Sequence, residues 1–154
     1  MRLNYADGDH LYVPKLSSDG RNWSPIDRAS FSVDTTGDRR AGVMRLDLSA
    51  DTLWVSGQER MTRQWFTDWT NLMGGHPDAT VSELGESTYG KPLRLLDIGS
   101  SDTSDEFVLL ISRQHPPEVT GSHAVVAFVE RLLQEDDLAR EFRARYRTLA
   151  VPLM

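Results

Sequence analysis

The stretch Phe107-Val108-Leu109-Leu110-Ile111-Ser112-Arg113-Gln114-His115-Pro116-Pro117-Glu118-Val119-Thr120-Gly121-Ser122 decides the architecture of this chain. Phe107 to Ile111 is apolar at every position, the pattern of a strand buried on both faces in the parallel part of an α/β sheet. Val119 to Leu133 is long and apolar enough for a packed helix. Asp136 to Tyr146 supplies a second, more charged helix, and Leu149 to Met154 begins another strand. Strand, helix, helix, strand at this spacing is a βαβ-type crossover. In open α/β sheets ligands gather outside the carboxyl ends of the strands, which places any chemistry in the segment from Ser112 to Glu118. His115 and Glu118 are three residues apart, and at a turn entering a helix both side chains project to one side. An imidazole and a carboxylate are suitable zinc ligands. Pro116-Pro117 stiffens the connection between them.

Upstream of that stretch, Thr80 to Glu86 and Lys91 to Ile98 read as two strands joined around Ser87-Thr88-Tyr89-Gly90. A helix precedes them. Ser56 followed by Glu59 has capping-box spacing, Met61, Trp65, Trp69, Leu72 and Met73 fall on one helical face, and Gly74-Gly75 ends the run. Core packing accounts for the Trp65 and Trp69 pair better than a ligand-stacking role, given the area aromatic rings bury. The first 55 residues differ, with short alternating pieces between turn clusters: His10 to Leu16, Ala29 to Val33 and Val43 to Leu48 read as strands. The expected organisation is thus a β-rich module over 1–55, a partial sandwich, followed by an α/β portion with a mixed sheet over 56–154.

Composition bounds the partners. The 154 residues carry 17 Lys and Arg against 23 Asp and Glu, a net charge of −6, and the arginines are scattered in sequence, which argues against nucleic acid and anionic membranes. There is no cysteine, so disulfide scaffolds, thiolate nucleophiles and Cys-based metal sites are excluded, and a reducing, cytoplasmic setting fits. No apolar run is long enough to span a bilayer, and the N-terminal residues do not read as a signal peptide. Other constellations fail. Gly85 to Gly90 is a hairpin turn rather than a nucleophile elbow, because the second glycine is one place late and no helix follows. The acids of Asp34 to Asp38 and Asp102 to Asp105 lack calcium-loop spacing. His123 lies five residues beyond Glu118, a poor match to helical neighbour spacing, and His10 and His76 sit in turn-like contexts without an identifiable partner.

The segment Gln114-His115-Pro116-Pro117-Glu118, with Val119-Thr120-Gly121-Ser122 and the apolar helix after it, resembles the first zinc-ligand motif of the zinc carboxypeptidases. Leu84 to Leu93 resembles that family's Gly-x-Ser-x-x-Gly-Arg hairpin, and Leu95 to Gly99 the strand after it. The strand-rich segment at the start resembles, more loosely, the β-sandwich that precedes the catalytic domain in the cytosolic carboxypeptidase branch. The resemblance implies a mononuclear zinc held by His115, Glu118 and a second histidine further on, acting on the C-terminus of a peptide or protein. It also implies a glutamate general base and a carboxylate-binding arginine, neither of which can be placed in this chain. Arg113, by its location, is a candidate substrate-binding residue or the member of a surface ion pair. A two-ligand site implies weak zinc binding and no peptidase activity for the 154 residues alone. Two rivals remain: a non-enzymatic or degenerate chain that works by self-association or by pairing with a missing C-terminal half, and a zinc-dependent deacylase of the same fold.

Overall fold

The computed structural model describes residues 1–4, 9–48, 51–99 and 106–154. The chain forms two compact units, Met1–Arg60 and Met61–Met154. Asp102 to Asp105, whose spacing does not suit a calcium loop, lie outside the described residues.

The first unit holds β1 (Arg2–Leu3), β2 (Lys15–Ser17), β3 (Ser24–Pro25), β4 (Phe31–Asp34), β5 (Ala41–Met44) and β6 (Trp54–Ser56). They make two three-stranded antiparallel sheets, ordered β1-β5-β4 and β3-β2-β6. The strands are shorter than the alternating patterns suggested, because the turn clusters take the flanking residues. Asp19 accepts from the backbone N–H groups of Arg21 and Asn22 and from the Ser17 hydroxyl. Those bonds, the Asn22 backbone first, hold its carboxyl far below the usual range. His10 is 1% exposed rather than a turn residue without a partner: its Nε2 meets the Tyr12 carbonyl at 2.5 Å and its ring lies 5.6 Å from Phe31. It packs on Gly42, where a Cβ would come within 3.0 Å of the imidazole.

In the second unit, α1 (Arg63–Met73) begins later than the capping-box spacing indicated. Ser56 belongs to β6 and its hydroxyl donates to the Gln58 carbonyl, so Thr62 caps the helix instead, accepting from the Trp65 N–H. The buried face is also rotated from the expected one. Phe66, Trp69 and Thr70 face inward, whereas Leu72 is 70% and Trp65 37% exposed. Trp65 covers Trp69 as a near-parallel stack, centroids 6.2 Å apart, and Trp69 Nε1 donates to Glu130, as core packing with a polar handle requires.

After α1 come β7 (Ala79–Glu86), β8 (Pro92–Ile98), β9 (Phe107–Ile111), α2 (Val119–Leu132), α3 (Asp137–Arg145) and β10 (Arg147–Val151). The β7–β8 hairpin closes through Ser87 N–H to Lys91 O and Gly90 N–H to Ser87 O, with Gly90 at positive φ. The sheet order is β7-β8-β10-β9, antiparallel except for the parallel β9–β10 pair, whose register runs from Phe107 opposite Arg147 to Ile111 opposite Val151. This mixed sheet and its two-helix crossover match the expected α/β class.

One face of the sheet and the helices share a core of Leu96, Ile98 and Ala150 with Phe66, Trp69, Val119, Val126 and Val129. Leu96, Ile98, Val129 and Ala150 are fully shielded from water. The strand β9 departs from its expected double burial. It is an edge strand, and Phe107, Leu109 and Ile111 on its outer face are 64%, 52% and 42% exposed. An apolar run reports hydrophobicity but not which elements cover it. Among the described residues no helix is long and apolar enough to cross a membrane.

Candidate functional site

The chain leaves β9 at the carboxyl end of the parallel pair. Ser112 fixes the exit: its N–H donates to the Val151 carbonyl and its hydroxyl to the Pro152 carbonyl at 2.7 Å. Arg113 then takes a left-handed conformation, φ 53°, and is the one such non-glycine residue among those described. That conformation costs about 1–2 kcal/mol in an L-residue. Its Nη1 is buried and has no hydrogen-bond partner among the described residues.

The turn that follows is closed from both sides. The Glu118 N–H donates to the His115 carbonyl at 3.2 Å, and the His115 N–H donates to Glu118 Oε2 at 3.0 Å. His115 Nδ1 lies 2.7 Å from Glu118 Oε1. A carboxylate only accepts, so Nδ1 holds the proton of this contact. Glu118 stands at the N-cap position of α2 but gives the helix no side-chain cap bond, since its carboxylate is turned toward His115. The hydrogen bond from the His115 side chain, then that from its backbone N–H, holds the Glu118 carboxyl below the usual range. Both side chains are open to solvent, at 71% and 43% exposure.

The sequence pair His115 and Glu118 is therefore brought together, with Arg113 two residues away. Nδ1 and a carboxylate oxygen side by side suit a zinc ion in donor chemistry, but no third His, Cys, Asp or Glu joins them among the described residues. His76 stands apart, with Nε2 2.9 Å from Glu135 and Nδ1 accepting from the Asp78 N–H, so it has partners 59 and two residues away. The strain and the orphaned nitrogen at Arg113 are features that no sequence signal discloses.

Solved structures are similar in fold to this chain over part of their length. A metallo-carboxypeptidase from Burkholderia cenocepacia is 27% identical, with a TM-score of 0.73 over 92% of this chain and 38% of its own. A metallo-carboxypeptidase from Pseudomonas aeruginosa, solved with (2-guanidinoethylmercapto)succinic acid, shares the fold at 21% identity and a TM-score of 0.73, over 92% of this chain and 36% of its own. The carboxypeptidase A of Helicoverpa armigera shares it at 13% identity and a TM-score of 0.53, over 97% and 49%. The chain thus spans under two fifths of the length of either bacterial enzyme. No curated protein matches it. The family model for zinc carboxypeptidases matches residues 66–154, which hold the hairpin, the crossover and the His115–Glu118 turn, and with more than half of its length so matched this chain belongs to the zinc carboxypeptidase family.

Proposed function

We propose that this chain supplies the first two zinc ligands, His115 and Glu118, of a metallocarboxypeptidase that hydrolyses the C-terminal peptide bond of a peptide or protein. One observation carries the reading: Nδ1 and a carboxylate oxygen held 2.7 Å apart, within the family-matched segment, at the carboxyl end of the parallel strands. When bound, zinc polarises the scissile carbonyl and lowers the pKa of a water molecule.

This chain's own residues prepare the pair. Pro116 and Pro117 restrict the backbone between the two side chains. The His115 N–H keeps the Glu118 carboxylate ionised and oriented. The proton that Nδ1 holds against Glu118 must leave that atom before its lone pair can reach a cation. Arg113 is the proposed grip on a substrate carboxylate, supported by a buried guanidinium nitrogen without an acceptor among the described residues, on a strained backbone. Residues 1–55 form the proposed β-rich module ahead of the zinc-binding portion over 56–154, and the cysteine-free composition supports a cytoplasmic setting. The exposed apolar face of β9 supports association with another polypeptide or a second copy. With two ligands among the described residues, the chain is expected to bind zinc weakly and not to turn over substrate. The test is hydrolysis of a peptide ending in glutamate by the zinc-loaded chain: none is expected, and turnover lost in His115→Ala would overturn the incomplete-site reading.

A further inference from the structure

The arginines of the second unit divide by position. Arg131, Arg140, Arg143, Arg145 and Arg147 belong to the end of α2, to α3 and to the start of β10, and each pairs with an acid. Arg63, Arg94 and Arg113 stand at the other end of the sheet, where β9 and β10 finish, and among the described residues none of the three has an acidic partner. In a chain of net charge −6 this segregation leaves Arg63 and Arg94 without a neutralising acid among the described residues.

Arg63 and Arg94, 31 residues apart in sequence, line one small cleft with Phe66, Thr67, Thr70 and Pro152. Arg94 is fixed there because its Nη1 donates to Asn71 Oδ1 at 2.7 Å, which sets the plane of the guanidinium and leaves its other N–H groups undirected toward any acid. Two local acids are turned elsewhere or unengaged. Asp68 accepts from Gln64, and Glu83, opposite Arg94 in the β7–β8 register, makes no ion pair with it. Arg63 is the first residue of α1, whose first turn has no acid, so its charge adds to the positive end of the helix dipole instead of being offset. The open volume is 20 Å³, about the room that one oxygen-sized group needs. Ser112 joins the Pro152 carbonyl, so the cleft sits at the sheet end where β9 gives way to the segment carrying His115, with Arg94 two strands and about 10 Å from Ser112.

We propose that Arg63 and Arg94 form an oxyanion-binding site, taking a carboxylate or phosphate group between the two guanidinium forks. The site is independent of the metal reading. It is tested by following the arginine Nε–H signals in two-dimensional NMR while sodium phosphate, and separately sodium acetate, is titrated at constant ionic strength. Saturable shifts at Arg63 and Arg94 are expected, with binding roughly ten- to a hundredfold weaker in Arg63→Gln and in Arg94→Gln. Saturation by phosphate alone or by both anions identifies the group taken. His115→Ala should leave the titration unchanged, which separates this site from the zinc turn. Equal, non-saturating shifts of all arginines, or saturation that survives in the double variant, would overturn the proposal. Arg63 is exposed and its loss spares the fold, so unchanged circular dichroism keeps that variant interpretable.

Discussion

Replacing Arg143 by methionine should remove much of the stability of the second unit. Arg143 is 2% exposed and keeps a charge inside the protein through four hydrogen bonds from its guanidinium. Nε donates to Asp78 at 2.8 Å, Nη1 to the carbonyls of Leu132 at 2.6 Å and Gln134 at 2.8 Å, and Nη2 to Glu135 at 3.1 Å. Two of these acceptors are carbonyls, that of Leu132 at the last residue of α2 and that of Gln134 two residues past it, and the Leu132 carbonyl has no partner within its own helix. Methionine keeps the stem but strands those carbonyls and Asp78. The contact with Glu135, which is 65% exposed, contributes little, so the loss rests on the other three. Breaking a buried ionic network from one side costs about 3–5 kcal/mol, against a total of about 5–15 kcal/mol for a domain. Urea unfolding followed by circular dichroism should show the midpoint falling by at least about 1 M with the slope unchanged. A loss under about 1 kcal/mol would rule out this structural role for Arg143, as would full rescue by lysine, whose single ammonium cannot reach three separated acceptors.

Other consequences follow from single contacts. Gly74→Ala places a Cβ 2.4 Å from Val81 Cγ2 and should cost about 1–3 kcal/mol; Val81→Ala made with it should recover part of that loss in a double-mutant cycle. Thr62→Ala removes the N-cap of α1 and should cost about 1 kcal/mol in thermal or urea unfolding. Asp136 caps α3, and the Ala139 N–H, then the Arg131 guanidinium, hold its carboxyl below the usual range. A carboxyl depressed in the folded state contributes stability above its unfolded value near 4 and loses it as pH falls through the folded value. Asp136→Asn should therefore lower stability at pH 7 and flatten the acid limb of the stability profile, which urea midpoints between pH 2 and 7 would measure.

Periodicity made the crossover legible. The buried positions of α2, Val119, Ser122, Val125, Val126, Val129 and Leu132, repeat every three or four residues, and the hairpin turn at Ser87 to Gly90 was visible in its residue types. What escaped the sequence was set at a distance. Ser56 pairs with Lys15 across a sheet, which overrides its local capping spacing. Trp65 and Phe66 are both apolar, and only packing against the sheet decides which faces inward. The uninterrupted apolarity of β9 gave no hint that one face stays uncovered. At the site, the His115–Glu118 pairing is local, three residues within a turn that prolines stiffen, and was readable for that reason. The convergence of Arg63 with Arg94 depends on strand order and register, and His76 finds Glu135 only because α1 and α2 end side by side.

Zinc binding at the His115–Glu118 turn is measured by calorimetric titration of zinc into the chain at pH 7, repeated with His115→Ala and with Glu118→Ala. One ion per chain, bound weakly and lost in both variants, is the predicted result. Zinc binding with the same affinity and stoichiometry in either variant would contradict it.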